Sequence, residues 1–266
     1  MGILAWIIAF SLFGGVLSVL LAALFLLVKQ PLRLRLIPHL VSFAIGTLLG
    51  AAFLGLLPHA LGSISSDQIH QVFLVVLLGL LTFFLLEKLL LWRHCHSEHC
   101  EAHDVESLDG AVENSPQHQV TGTLVIVGDS VHNFIDGVLI TAAFLTDFHL
   151  GVVTSVAIVA HEIPQEVGDF AILLHSGFSR KKALLFNVLS SLSTIVGAML
   201  AYYSLVNLTQ LLPYILAIAA SSFIYIAVAD LIPGLHKRAE IKHTMQQVVL
   251  IGLGVSVIFI SHSTLH

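Results

Sequence analysis

Gly128-Asp129-Ser130-Val131-His132-Asn133-Phe134-Ile135-Asp136-Gly137 lies inside the apolar run Leu124–Leu145. His161-Glu162-Ile163-Pro164-Gln165-Glu166-Val167-Gly168-Asp169 lies inside the next one, Leu150–Leu174. Read as helices, they put Asp129, His132, Asn133 and Asp136 on one face of the first, since residues three and four apart are neighbours. In the second, His161 and Gln165 stand one turn apart, as do Glu162 and Glu166, with Asp169 further on. Ionisable groups inside an apolar span are costly and mark a site or a pathway. No Lys or Arg occurs between Arg93 and Arg180, so no basic side chain within these helices neutralises the carboxylates. Leaving them uncompensated would cost roughly several kcal/mol per charge. The set must take up protons or bind cations. Imidazole, carboxylate and amide oxygen together suit Zn²⁺, Fe²⁺ or Mn²⁺. Neither run holds Cys or Met, which argues against Cu⁺. For one His or Asp alone, a hydrogen-bonded core residue is the simpler account; the full set exceeds it.

The rest of the chain agrees with membrane burial. Of 266 residues, 57% are apolar and only 10% charged, against about 25% charged in soluble domains. Mean hydropathy is +0.96. Soluble enzymes, nucleic-acid binders and disordered proteins are excluded by this composition. A spanning helix needs about 20 mostly apolar residues. Besides the two central runs, Ile3–Val28, Ile37–Leu61, Val72–Leu91, Ala183–Leu205, Leu211–Leu231 and Met245–Ile260 qualify or nearly qualify. The first has no Lys or Arg ahead of it and exceeds the length of a signal-peptide core, so it reads as a span.

Lys29, Arg33, Arg35, Lys88, Arg93, Arg180, Lys181, Lys182, Lys237, Arg238 and Lys242 are all 11 basic residues of the chain. They fall after, or at the end of, helices 1, 3, 5 and 7. The positive-inside rule then places both termini outside. The expectation is an all-α membrane protein of eight transmembrane helices in one integral membrane domain. Residues 1–92 carry helices 1–3, residues 93–120 form a cytoplasmic His/Cys-rich loop, and residues 121–266 carry helices 4–8. Its surroundings are the lipid bilayer of the cell (inner or plasma) membrane. No nucleic-acid partner and no organic cofactor is expected.

Several smaller features add to this. Pro164 cannot donate to the carbonyl of Ala160, so a kink there would widen the cavity and offer another oxygen. Leu57-Pro58-His59 and Ile232-Pro233-Gly234 end helices 2 and 7, which cross in opposite directions, a hint of the inverted repeats common in transporters. The loop carries His94, Cys95, His96, His99, Cys100 and His103. Without a C-x-x-C pair it reads as an adaptable metal-receiving or metal-sensing site. On the cytoplasmic side of the central cluster, Asp129, Asp169 and His175 form a hypothesised exit path. His59 and His149 lie toward the outer side. Asp230 is given a structural role.

These motifs resemble those of the ZIP (Zrt/Irt-like) divalent metal transporters. The resemblance covers His132 to Gly137, His161 to Phe170, Leu57-Pro58-His59-Ala60-Leu61 and Phe223 to Pro233. The Glu-x-x-Gln-Glu form of helix 5 and the histidine-rich loop are most similar to the LIV-1 branch. The resemblance implies an eight-helix bundle and movement of a divalent metal, zinc first, with iron, manganese or cadmium as others, toward the cytoplasm. It further implies a homodimer and an elevator-like shift of the metal-carrying helices. Carried onto this chain, the ligands are His132, Asn133, Asp136, His161, Glu162 and Gln165, with Glu166 adjacent. Gln165, Thr194, Gly234 and Gly55 depart from residues frequent in the family. A metal-sensing receptor and a proton-coupled cation carrier are the alternatives. An intramembrane metalloprotease is disfavoured because Gln165 replaces the second His of His-Glu-x-x-His.

Overall fold

The computed structural model describes residues 2–94, 116–236 and 241–264, and contains no strand among them. Its helices are α1 Ile3–Phe25, α2 Gln30–Gly62, α3 Ile69–His94, α4 Pro116–Thr146, α5 Phe148–His175, α6 Arg180–Leu205, α7 Thr209–His236 and α8 Ile241–Thr264. Each corresponds to one of the apolar runs. Seven are long and apolar enough to cross a membrane. The other, α5, has 28 residues, about 42 Å at 1.5 Å per residue. It stands apart because it carries Glu162, Glu166 and Asp169.

Of the stretch 93–120, the described residues at its two ends are helical, α3 running through His94 and α4 starting at Pro116. Cys95, His96, His99, Cys100 and His103 lie outside the described residues.

The helix bearing the most carboxylates sits in the middle. α5 packs against α1, α2, α4, α6 and α8, whereas α3 leans chiefly on α7. Phe73, Leu74, Leu77, Leu81 and Leu85 of α3 are exposed, as expected of side chains that meet lipid rather than water. A single residue, Asp147, separates α4 from α5, and its Oδ1 accepts the Leu150 N–H at 2.9 Å as the cap of α5. The two helices therefore double back side by side. His132 and His161 lie nearly the same number of residues from that turn, which puts them at one depth.

The kink expected at Pro164 is not where the helices change form: α5 remains α-helical through that residue. Widened turns occur in α1, over Phe13–Leu17, and in α2 and α7, and the last two share a feature. α2 and α7 each have a six-residue π-helical segment, Ala51–Leu56 and Ile226–Leu231. Each segment ends two residues before a proline, Pro58 or Pro233. Proline cannot donate to the carbonyl four residues back, and here the preceding turn loosens to the i→i+5 pattern. The shared device strengthens the hint of inverted halves.

Two helix pairs are drawn together by glycines. In α4 and α6, a Cβ on Gly137 would collide with the Thr194 carbonyl, and one on Gly197 with the Phe134 carbonyl. In α2 and α8, Gly46 meets the Ile251 carbonyl and Gly254 that of Phe43 in the same reciprocal way. Lipid tails are as apolar as leucine, so helices in a bilayer associate through close packing, and small residues permit it. Gly197→Leu should therefore force α4 and α6 apart and cost on the order of 1–3 kcal/mol or more. The expected reading is a lower melting temperature in detergent. Gly252→Ala on α8, where a Cβ meets nothing within 4 Å, should leave it unchanged.

Candidate metal centre

α4 and α5 bring His132, Asp136, His161 and Glu162 to one point, with a ligand atom from each lying within 4.8 Å of all the others. His132 Nε2 is 3.2 Å from His161 Nε2, 3.2 Å from Glu162 Oε1 and 3.8 Å from Asp136 Oδ2. His161 Nε2 is 3.5 Å from Asp136 Oδ2 and 3.7 Å from Glu162 Oε1. Four donors held at about 2.0–2.1 Å around a tetrahedral zinc would stand about 3.3–3.4 Å apart. The measured edges bracket that figure.

The tautomer of one imidazole follows from its surroundings. His161 Nδ1 lies 3.1 Å from the Ala157 carbonyl, which can only accept, so Nδ1 carries the proton. Its Nε2 then presents a lone pair to the other donors, the arrangement a metal-binding histidine needs. The ring also meets Phe223 of α7 edge-on, with centroids 6.2 Å apart. That apolar wall was not legible in the sequence.

Burial without compensation is the main electrostatic fact. Asp136, His161 and Glu162 have side chains only 1% exposed, while His132 is 22% exposed and opens the cluster. Neither carboxylate accepts a hydrogen bond at any of its oxygens. Among the described residues their ion-pair neighbours are the two histidines. Two histidine nitrogens and two carboxylates match the ligand chemistry of zinc and its neighbours.

The other sequence candidates have the following surroundings. Asn133 is 1% exposed and its amide donates to Asp129 Oδ1 at 2.9 Å and to the Asp129 carbonyl at 3.2 Å. Its oxygen accepts from Thr194 Oγ1 at 2.8 Å. Gln165 is half-buried. Glu166 is fully buried; Asn187 of α6 lies within reach of it, although neither oxygen makes a hydrogen bond of good geometry. Asp129 is buried, Asp169 half-buried and His175 exposed near the end of α5. His175 Nδ1 bonds the Ala171 carbonyl at 2.8 Å, leaving Nε2 outward of that bond. Asp230 sits exposed in the π segment of α7, apart from the cluster.

A polar stripe on α6 went unrecognised in the sequence. Asn187, Ser190 and Thr194 are all buried and approach Glu166, Asp129 and Asn133 in turn. Ser193 adds a 2.7 Å bond to the Ser130 carbonyl. The signal was present as polar residues three and four apart in an otherwise apolar span. It passed unnoticed because serine and threonine readily satisfy themselves on their own helix backbone.

A ligand that binds only the folded state stabilises it, by about 2.7 kcal/mol at one hundred times Kd. Zinc should accordingly raise the melting temperature of the detergent-solubilised chain by several degrees, and Glu162→Gln should abolish most of the rise. Equal shifts in both proteins would dismiss the four-donor cluster as a zinc site.

Comparison with known proteins agrees with this geometry. The family model described as ZIP Zinc transporter matches residues 3–262. Zinc transporter ZIP13 of Pongo abelii is 33% identical over 231 residues, covering 82% of this chain and 65% of that protein. Zinc transporter ZIP13 of Mus musculus is 34% identical over 254 residues, 85% of this chain and 69% of that protein. Zinc transporter ZIP4 of Homo sapiens is 32% identical over 248 residues, 74% of this chain but 38% of its own length. With its apolar helices and its buried histidine–carboxylate cluster between α4 and α5, the chain is an integral multi-pass membrane protein and belongs to the ZIP zinc transporter family, whose members are transporters and not enzymes.

Proposed function

We propose that this chain carries divalent transition-metal ions, zinc first, across the membrane toward the cytoplasm. The primary ligands are His132, Asp136, His161 and Glu162. The observation that carries this reading is the pair of buried carboxylates without hydrogen bonds, packed against two imidazoles at tetrahedral spacing. A bound dication balances the two negative charges that a dry interior would otherwise penalise. Iron, manganese and cadmium share enough of this chemistry to be secondary substrates. Gln165 and Glu166, one turn inward on α5, are the next groups an ion meets.

Direction follows from charge. With the basic connections inside, α4 runs outward and α5 inward, so Asp129, Glu166 and Asp169 lie on the cytoplasmic side of the cluster. Asp129, Asp169 and His175 then form a path of decreasing burial toward the cytoplasm. The loop residues His94, Cys95, His96, His99, Cys100 and His103 take up metal that has passed. A negative interior contributes about 2.3 kcal/mol per charge at 100 mV, so a dication gains about twice that on entry.

Uptake into sealed proteoliposomes tests the reading. Wild-type vesicles should accumulate zinc, and His132→Ala with Glu162→Ala should reduce the rate to that of empty vesicles. A chain that binds zinc without accumulating it would be a receptor, and the transport reading would fail. The exit path makes a separate prediction. Asp129→Asn and Asp169→Asn should each slow uptake several-fold while leaving zinc affinity at the cluster largely unchanged. Unaltered rates in both would remove these residues from the path.

A further inference from the structure

The stripe of residues that draws α2 against α8 continues past its glycines. On α2 it reads His39, Ser42, Gly46 and Gly50; on α8 it reads His243, Gln247, Ile251, Gly254 and Ile258. These are three or four apart, so each set occupies one face of its helix. Gly46 lies against the Ile251 carbonyl and Gly50 against the Ile258 side chain, so the two helices run in the same direction. Seven residues before Gly46 stands His39, and eight before Ile251 stands His243. The register therefore brings these two histidines level, at the helix ends flanked by Arg35 and Lys242. Where glycine gives way to larger side chains, a cleft of about 240 Å³ lies between the helices, with His39, Ser42, His243, Gln246 and Gln247 in its wall.

The lining groups suit a metal. His39 Nδ1 is 2.7 Å from the Arg35 carbonyl, which can only accept, so Nδ1 carries the proton and Nε2 keeps its lone pair. The Gln247 NH₂ group donates to the Leu235 carbonyl at 3.4 Å, which leaves the oxygen as that amide's ligand group. Ser42 Oγ donates back to the Pro38 carbonyl at 2.7 Å. His39, His243 and Gln247 are half-buried. Imidazole nitrogen beside amide oxygen, with no carboxylate in the described lining, suits a transition-metal dication. Mg²⁺ and Ca²⁺ take oxygen ligands throughout.

We propose that His39 and His243 together hold one Zn²⁺ ion in this cleft, with a glutamine oxygen and water completing its shell. This metal site belongs to α2 and α8 and is separate from the cluster between α4 and α5. No carboxylate offsets the charge of the ion here, so it binds more weakly than at the centre. Once bound, it ties the two helix ends together beyond the glycine crossing. The site does not depend on the transport reading, since a receptor could carry it equally well.

Calorimetric titration of the full chain with Zn²⁺ in detergent tests this. His39→Ala and His243→Ala should each remove one and the same zinc equivalent, so the double variant should lose no more than either single one. Two residues that share one ion are coupled in this way, whereas independent surface ligands give losses that add. Glu162→Gln, which weakens the centre, should leave that equivalent in place. His39→Leu and His243→Leu serve if the alanine variants do not fold. Zinc uptake into proteoliposomes by His39→Ala should match that of the wild type. No lost equivalent in either single variant overturns the proposal, and so do losses that add in the double variant. Uptake abolished by His39→Ala would put the residue on the path of the transported ion and would equally overturn a separate site.

Discussion

Two carboxylates and two imidazoles in the middle of an apolar bundle, with no lysine or arginine at ion-pair distance among the described residues, are the constraint on which this molecule turns. In water each carboxylate would be solvated at little cost. Between α4 and α5 neither has a hydrogen-bond donor of good geometry. Such a cluster is tolerable when a positive guest can settle among its members, and the 3.2–3.8 Å separations leave room for a small ion.

The surrounding packing keeps those four donors at one depth. A one-residue turn at Asp147 aligns α4 with α5, while the reciprocal glycines Gly137 and Gly197 bring α6 against α4 closely enough for Thr194 and Ser190 to reach Asn133 and Asp129. A bulkier residue at the crossing would separate the helices and leave the buried hydrogen-bonding groups without partners. The same glycine device binds α2 to α8, away from the acids. The loosened turns before Pro58 and Pro233 lie in α2 and α7. In α2 a close crossing at Gly46 and a widened turn at Ala51–Leu56 thus follow one another along a single helix.

Much of this was readable from residue order alone. The apolar runs became helices, and the four central ligand candidates His132, Asp136, His161 and Glu162 came together in space as their spacing implied. Pro164 was read as the place for a kink; α5 stays α-helical through it, and π-helical turns that the sequence did not announce precede Pro58 and Pro233. Asn133 was placed among the metal ligands by the family resemblance. The structure adds hydrogen bonds from its carboxamide to Asp129 and from Thr194, which the residue order did not reveal.

The division between the two levels has a physical origin. Hydrocarbon thickness demands long uninterrupted helices, and the bilayer interior penalises charge; both rules act on residues adjacent in the chain, so the number of spans and the location of the ionisable groups are written in one dimension. Which atoms touch is another matter. His132 finds His161 across 29 positions, and Asn133 finds Thr194 across 61. Those meetings depend on how each helix is rotated and how closely its neighbour approaches, and these are set by glycine contacts and packing between distant segments, which periodicity within a single helix does not encode.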